Sequence, residues 1–186
     1  MLWRVAEDLT SVNHEYRKKV QKINAEKRQV ELIGEFHLLQ YLNLEAQLSY
    51  LENGKPVLTS GFISITHHAN LVAFMIGKEP IGLDLQDANE KIARIARRFC
   101  NEGELASAQS QDDPLEFLTL VWSAKESIFK IYGQDLPFAE GMTVYRNGAF
   151  GLKCEVHDGS IYELGWERIG NAFLVYSLGK LAAPMG

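Results

Sequence analysis

The sequence has little cysteine, no long apolar run and no excess of positive charge, and each shortage excludes something. Cys100 and Cys154 are far apart and lack both a Cys-x-x-Cys spacing and a flanking histidine pattern, so neither a zinc site nor a redox motif is indicated. They read as small, reduced core residues. The longest apolar stretch, Leu71 to Ile76, is far too short to span a bilayer, and the opening Met1-Leu2-Trp3-Arg4 lacks the apolar run of a signal peptide. A cytoplasmic protein with no membrane role is expected. With 19 Lys and Arg against 24 Asp and Glu, the net charge of −5 argues against a nucleic-acid binder, which needs cations in excess to neutralise phosphates. Low-complexity linkers and clear internal repeats are also missing.

What is present is an ordinary globular balance, 46% hydrophobic and 23% charged over 186 residues, enough for one core or two small half-cores. Two basic groups stand out, Arg17 to Arg28 and Arg94-Arg97-Arg98, each a solvated helix face or a dock for an acidic or phosphorylated partner. Apolar residues recur at helical spacing from about His14 to Leu42, giving one long or two shorter helices. The turn signal Asn53-Gly54-Lys55-Pro56 closes that region. Three β-rich runs follow, Phe62 to Thr66, Leu71 to Ile76 and Ile81 to Gln86, and suggest a meander. A short helix is predicted over Glu90 to Phe99. A longer one is predicted over Leu115 to Tyr132, with Asp113 as cap, Pro114 at its first position and Gly133 beyond its end. The tail from Met142 to Leu178 reads as strands joined by hairpins at Asn147-Gly148 and Asp158-Gly159. The order helices, strands, helices, strands, without βαβ alternation, predicts an α+β fold with antiparallel sheets.

Two segments carry polar residues in patterns that chemistry can use. In Ile81-Gly82-Leu83-Asp84-Leu85-Gln86 the side chains alternate, so Asp84 and Gln86 project together from the face opposite Ile81, Leu83 and Leu85. An ordinary half-exposed strand would look the same, although Gly82 would let a ligand approach the backbone. On the following long helix, Thr119, Ser123, Glu126, Ser127 and Lys130 share one stripe, and Phe117, Val121, Ala124, Ile128 and Ile131 another that faces the core. Glu126 and Lys130 also match a plain surface ion pair, worth a few tenths of a kcal/mol. Asp84, Gln86 and Glu126 could together supply oxygen ligands to magnesium. His67 and His68, adjacent in a loop, cannot both readily address one ion.

Five segments in order and spacing resemble the 4′-phosphopantetheinyl transferases: Asn53 to Pro56, Ile63 to His68, Ile81 to Gln86, Ile95 to Phe99 and Trp122 to Lys130. The likeness runs from about Gly54 to Phe138 and is greatest to the pseudo-dimeric type that activates peptide-synthetase and fatty-acid carrier proteins. It implies two halves related by a pseudo-twofold axis, residues 1–77 and 78–186, each an antiparallel sheet with helices, and a ligand cleft between them. It implies a monomer that transfers 4′-phosphopantetheine from coenzyme A to a serine of an apo acyl- or peptidyl-carrier protein. By the same resemblance Asp84 and Glu126 bind magnesium, Glu126 helps deprotonate the serine, and Lys130 sits against the transferring phosphate. Lys55 and Lys125 correspond to contacts with coenzyme A phosphates, Thr66 and His67 to a Ser-His pair at the nucleotide, and Arg28 to a further basic contact. The chain departs from the pattern at Gln86, where the family usually has a second acidic ligand. A neutral amide oxygen can still bind the metal or one of its waters. A non-catalytic relative that grips coenzyme A or a carrier is the alternative.

Overall fold

A computed structural model of the chain describes residues 1–4, 12–23, 25–44, 47–52, 54–133 and 136–181. Asn53, part of the predicted turn, lies outside them. The chain forms two compact units, Met1–Lys78 and Glu79–Gly186.

In the first unit the helical region resolves into two helices, α1 (His14–Gln21) and α2 (Glu26–Leu42). The α2 helix ends at Asn43, whose left-handed backbone (φ 56°) turns its N–H back onto the carbonyls of Leu39 and Gln40. A three-stranded antiparallel sheet joins β1 (Leu2–Arg4), β5 (Leu71–Gly77) and β4 (Phe62–His68), and β2 (Leu48–Tyr50) pairs with β3 (Pro56–Leu58). Ile33, Phe36 and Leu39 of α2, one face at helical spacing, bury against Ile63, Val72 and Phe74 of the sheet.

The second unit is built on a five-stranded antiparallel sheet in the order β6 (Leu83–Asp87), β10 (Ala172–Lys180), β9 (Ile161–Ile169), β8 (Gly151–Val156), β7 (Met142–Arg146). This corrects the meander expected of the first three β-rich runs. The third of them, β6, leaves its sequence neighbours and pairs with β10, the last strand, with Asp84 opposite Val175 and Gln86 opposite Phe173. Ile81 and Gly82 precede the strand rather than belonging to it. The hairpins fall where the Gly signals put them, with Gly148 and Gly159 at φ 80° and 82°.

Helices α3 (Glu90–Ile95) and α4 (Glu102–Gln109) flank α5 (Pro114–Tyr132), and a short α6 (Phe138–Gly141) leads into β7. A 3₁₀ turn over Ala96–Arg98 follows α3. The α5 ends are those expected: Asp113 accepts from the Glu116 N–H, Pro114 needs no donor, and Gly133 (φ 95°) stops the helix. The α4 helix escaped the sequence reading although it opens with a capping box, Asn101 and Glu104 each accepting from the other's backbone N–H. One face of α5 buries Phe117, Val121, Ala124 and Ile128 against Val144, Leu152, Cys154, Leu164 and Val175 of the sheet. Cys100 and Cys154 are free and buried, as read from their spacing, and burial pushes both thiols up to about 12. Among the described residues no helix is long and apolar enough to cross a membrane.

Candidate active site

The alternation read in the sequence holds in β6, but both of its faces are buried: Leu83, Asp84 and Leu85 are 3%, 8% and 2% exposed. The half-exposed strand is therefore not what forms. Through the β6–β10–β9 register, Asp84 shares a face with Val175 and Trp166, and Gln86 shares it with Phe173 and Arg168. That is the face on which Val175 and Phe173 join the core beneath α5.

The long helix is seated by backbone approach. A Cβ built on Gly82 would lie 1.8 Å from the Ser127 carbonyl oxygen, so only glycine fits where the chain enters β6. The open position expected to admit a ligand admits α5 instead. Ser127 Oγ lies 2.8 Å from the Ser123 carbonyl oxygen and 3.1 Å from that of Val175 on β10, and the Gly82 N–H donates to Ser177 Oγ at 2.9 Å. Thr119, Ser123 and Ser127, expected on a polar stripe, are fully buried. Thr119 and Ser127 spend their hydroxyl protons on helix carbonyls one turn back, and small side chains let α5 lie close to the sheet.

One turn beyond that contact, Lys130 reaches β6. Its Nζ donates to the Leu83 carbonyl at 2.6 Å and to Asp84 Oδ1 at 3.1 Å. The Glu126 carboxyl, half-buried on the same helix, is held above the usual carboxylate range, first by burial and then by the negative charge of Asp84, with the Lys130 ammonium opposing both. Asp84, Glu126 and Lys130 therefore sense one another: two acids face one lysine, and the lysine does not offset the cost of the second charge. Gln86 lies two residues along the same strand face, its amide donating to the Asp87 carbonyl at 3.3 Å.

A hard divalent cation fits this donor set. A carboxyl raised by burial and by a neighbouring acid would be relieved by a second positive charge, and oxygen ligands suit magnesium. Among the described residues no group of three or more His, Cys, Asp or Glu could hold a metal, so Asp84 and Glu126 are the acidic donors this site offers and Gln86 adds a neutral amide oxygen on the Asp84 face.

The other candidates are placed differently. Lys125 is 0% exposed, and its ammonium donates to Glu104 Oε2 (2.7 Å) and to the carbonyls of Phe99 and Phe138 (both 2.8 Å). With three donors engaged and no exposed surface it is not offered to a coenzyme phosphate, which corrects that expectation. The remaining four lie in the first unit. Thr66, expected at the nucleotide, lies on β4 and is 4% exposed. His67 Nε2 stands 3.4 Å from Glu35 Oε2, and any ligand contact would run through its other ring nitrogen. Arg28 is exposed and pairs with Glu31 at 3.0 Å, and Lys55 is half-buried just before β3. Glu35 was missed: it is 1% exposed on α2, accepts from the Tyr50 hydroxyl, and after burial is the chief cause of the raised Tyr16 pKa. Its signal was a carboxylate between Ile33 and Phe36, inside an apolar stripe.

Residues 80–162 match the model of the 4′-phosphopantetheinyl transferase superfamily. That segment takes in the entry of β6, β6 and α5 and carries every member of the Asp84–Gln86–Glu126–Lys130 group, so the likeness to this superfamily falls on the second unit. Over 97 residues the chain is 29% identical to the 4′-phosphopantetheinyl transferase Sfp of Bacillus subtilis (strain 168), covering 50% of this chain and 43% of that protein. Over 127 residues it is 28% identical to the 4′-phosphopantetheinyl transferase gsp of Aneurinibacillus migulanus, covering 63% of this chain and 54% of that protein. The chain spans about half the length of the curated relatives it matches.

Proposed function

We propose that this protein transfers 4′-phosphopantetheine from coenzyme A to a serine hydroxyl of an apo acyl- or peptidyl-carrier protein, with magnesium, in the cytoplasm. The observation that carries the reading is the Lys130–Asp84 contact between α5 and β6, with Glu126 of α5 held above its ordinary pKa by burial and then by Asp84. The serine oxygen forms a bond to the β-phosphorus, the bond from that phosphorus to the bridging oxygen breaks, and adenosine 3′,5′-bisphosphate leaves.

Asp84, Glu126 and the Gln86 amide oxygen would hold magnesium, which when bound supplies positive charge to the pyrophosphate. Lys130, fixed by Leu83 and Asp84, keeps an ammonium beside the reacting phosphate without having to reorganise. Glu126 takes the serine proton as the general base. Arg28, Lys55 and His67 remain assigned to coenzyme A phosphates on the strength of the resemblance.

Gln86 favours a second reading. A site one carboxylate short binds metal less tightly, as expected of a relative that grips coenzyme A or a carrier without turnover. Incubation with coenzyme A, magnesium and a panel of apo-carriers, followed by intact mass, separates the two. Addition of the phosphopantetheine arm to a carrier is expected. Coenzyme A binding without transfer to any carrier would support the second reading, and neither binding nor transfer would overturn both.

A further inference from the structure

A fully buried, fully hydrogen-bonded ion pair in the second unit is one that the proposed chemistry does not use. Glu104 and Lys125 are 2% and 0% exposed. The Lys125 ammonium meets Glu104 and the carbonyls of Phe99 and Phe138, and the Glu104 carboxylate accepts from Lys125, the Asn101 N–H (2.9 Å) and the Val144 N–H (2.7 Å). Five parts of the fold are joined at one point: the end of the 3₁₀ turn, the start of α4, α5, the start of α6, and β7. The two phenylalanines whose carbonyls bind Lys125 also hold the helix by their rings. Phe99 meets Trp122 edge-on at 5.0 Å, and Phe138 packs tilted against Trp122 at 5.6 Å and Phe129 at 5.7 Å. Trp122 and Phe129 lie one turn before and one turn after Lys125, so this side of α5 is held over two turns.

We infer that the Lys125–Glu104 pair is a positioning device that fixes the roll and height of α5, and thereby the direction in which Glu126 and Lys130 face Asp84. Successive helix residues are rotated by about 100°, so a helix whose Lys125 is tied to three carbonyl and carboxylate anchors on one side must present Glu126 in a set direction. A buried ion pair is poor evidence of stability, because two apolar residues can often replace it without loss. What it does supply is geometry: an ammonium with three fixed acceptors has one position, where an apolar side chain would have a range.

The inference rests on the transferase reading for its activity arm and has a second arm that does not. The variants are Lys125→Met, Lys125→Met/Glu104→Gln and Glu104→Asp, each measured for Tm, kcat and KM for coenzyme A. Lys125→Met strands a buried carboxylate and is expected to lower Tm by about 10 °C. The pair variant, with no buried charge left, regains part of that loss yet keeps a kcat at least tenfold below wild type, with KM for coenzyme A within about threefold. Glu104→Asp keeps both charges but draws α5 by the length of one methylene, and is expected to lose at least fivefold in kcat with little change in KM or Tm. A folded pair variant or Glu104→Asp with wild-type kcat makes the pair merely structural and overturns the inference. So does a tenfold rise in KM with unchanged kcat in Lys125→Met, which would make Lys125 a phosphate contact. If wild type transfers nothing, the functional reading fails on its own. Amide hydrogen exchange over residues 122–130 then decides: at least tenfold faster in Glu104→Asp is expected, and unchanged protection overturns the inference.

Discussion

Helix α5 carries two lysine–carboxylate pairs, at Lys125 and Lys130, that differ in almost every physical respect. At Lys125–Glu104 both side chains are fully buried and every charge has its hydrogen bonds. At Lys130–Asp84 the side chains are 28% and 12% exposed, and a second acid, Glu126, is held above its ordinary pKa by burial and then by the charge of Asp84. Proteins settle most polar groups as the first pair is settled. A cluster left with one acid too many, at the edge of solvent, costs the folded chain something that a ligand can return.

Breaking the unsettled cluster should have the largest effect. Glu126→Gln is expected to lower transfer by several hundredfold or more, as the loss of a metal ligand and a proton acceptor together. The same substitution should raise Tm in the absence of metal. A carboxyl whose folded pKa is raised contributes stability that is fully present below the ordinary carboxylate range and is lost as pH rises through the raised value, so at neutral pH Glu126 is a burden that Gln removes. A thermal scan from acid to neutral pH should show the gain growing with pH. Retention of more than about a tenth of wild-type rate would return Glu126 to a plain surface ion pair.

Gly82→Ala tests how the cluster is assembled. The new methyl would strike the Ser127 carbonyl, so α5 must lift from β6, costing about 3 kcal/mol by urea unfolding and much of the activity. Lys130→Met should be milder, roughly tens-fold in kcat. Because Lys130 lowers the Glu126 pKa, its removal should also move the acid limb of the rate profile to higher pH, and a limb that stays put would separate the two residues.

Gln86→Glu should have the smallest effect and sharpens the contrast rather than breaking it. A second carboxylate on the Asp84 face should lower the half-saturating magnesium concentration several-fold, with kcat little changed or reduced, since tighter ground-state binding need not stabilise the transition state. A magnesium titration in which that concentration is unmoved or higher would mean that Gln86 does not face the metal.

Most of the unsettled cluster could be read from the chain, because it rests on local periodicities. Strand alternation put Asp84 and Gln86 on one face, helix spacing put Glu126 beside Lys130, and Asp113, Pro114 and Gly133 marked the α5 ends. The settled pair could not be read. Lys125 joins Glu104 across 21 residues, a contact with no periodic signal, and a lysine beside a glutamate in Trp122-Ser123-Ala124-Lys125-Glu126 looks like a surface cation. The pairing of β6 with β10 and the approach of α5 to Gly82 were hidden for the same reason: each depends on a partner distant in sequence. The Ser-Thr stripe misled because a hydroxyl can satisfy itself on its own helix and so go where a charge cannot.

The most direct test compares the melting temperature of wild type and Glu126→Gln with coenzyme A present, as magnesium is raised to about a hundredfold over its half-saturating concentration. Binding to the folded state alone should raise the wild-type Tm by several degrees, and the Glu126→Gln curve should stay nearly flat although that variant starts higher. Equal shifts in both proteins would show that Glu126 holds no metal, and that the crowded acids on α5 and β6 are not the site.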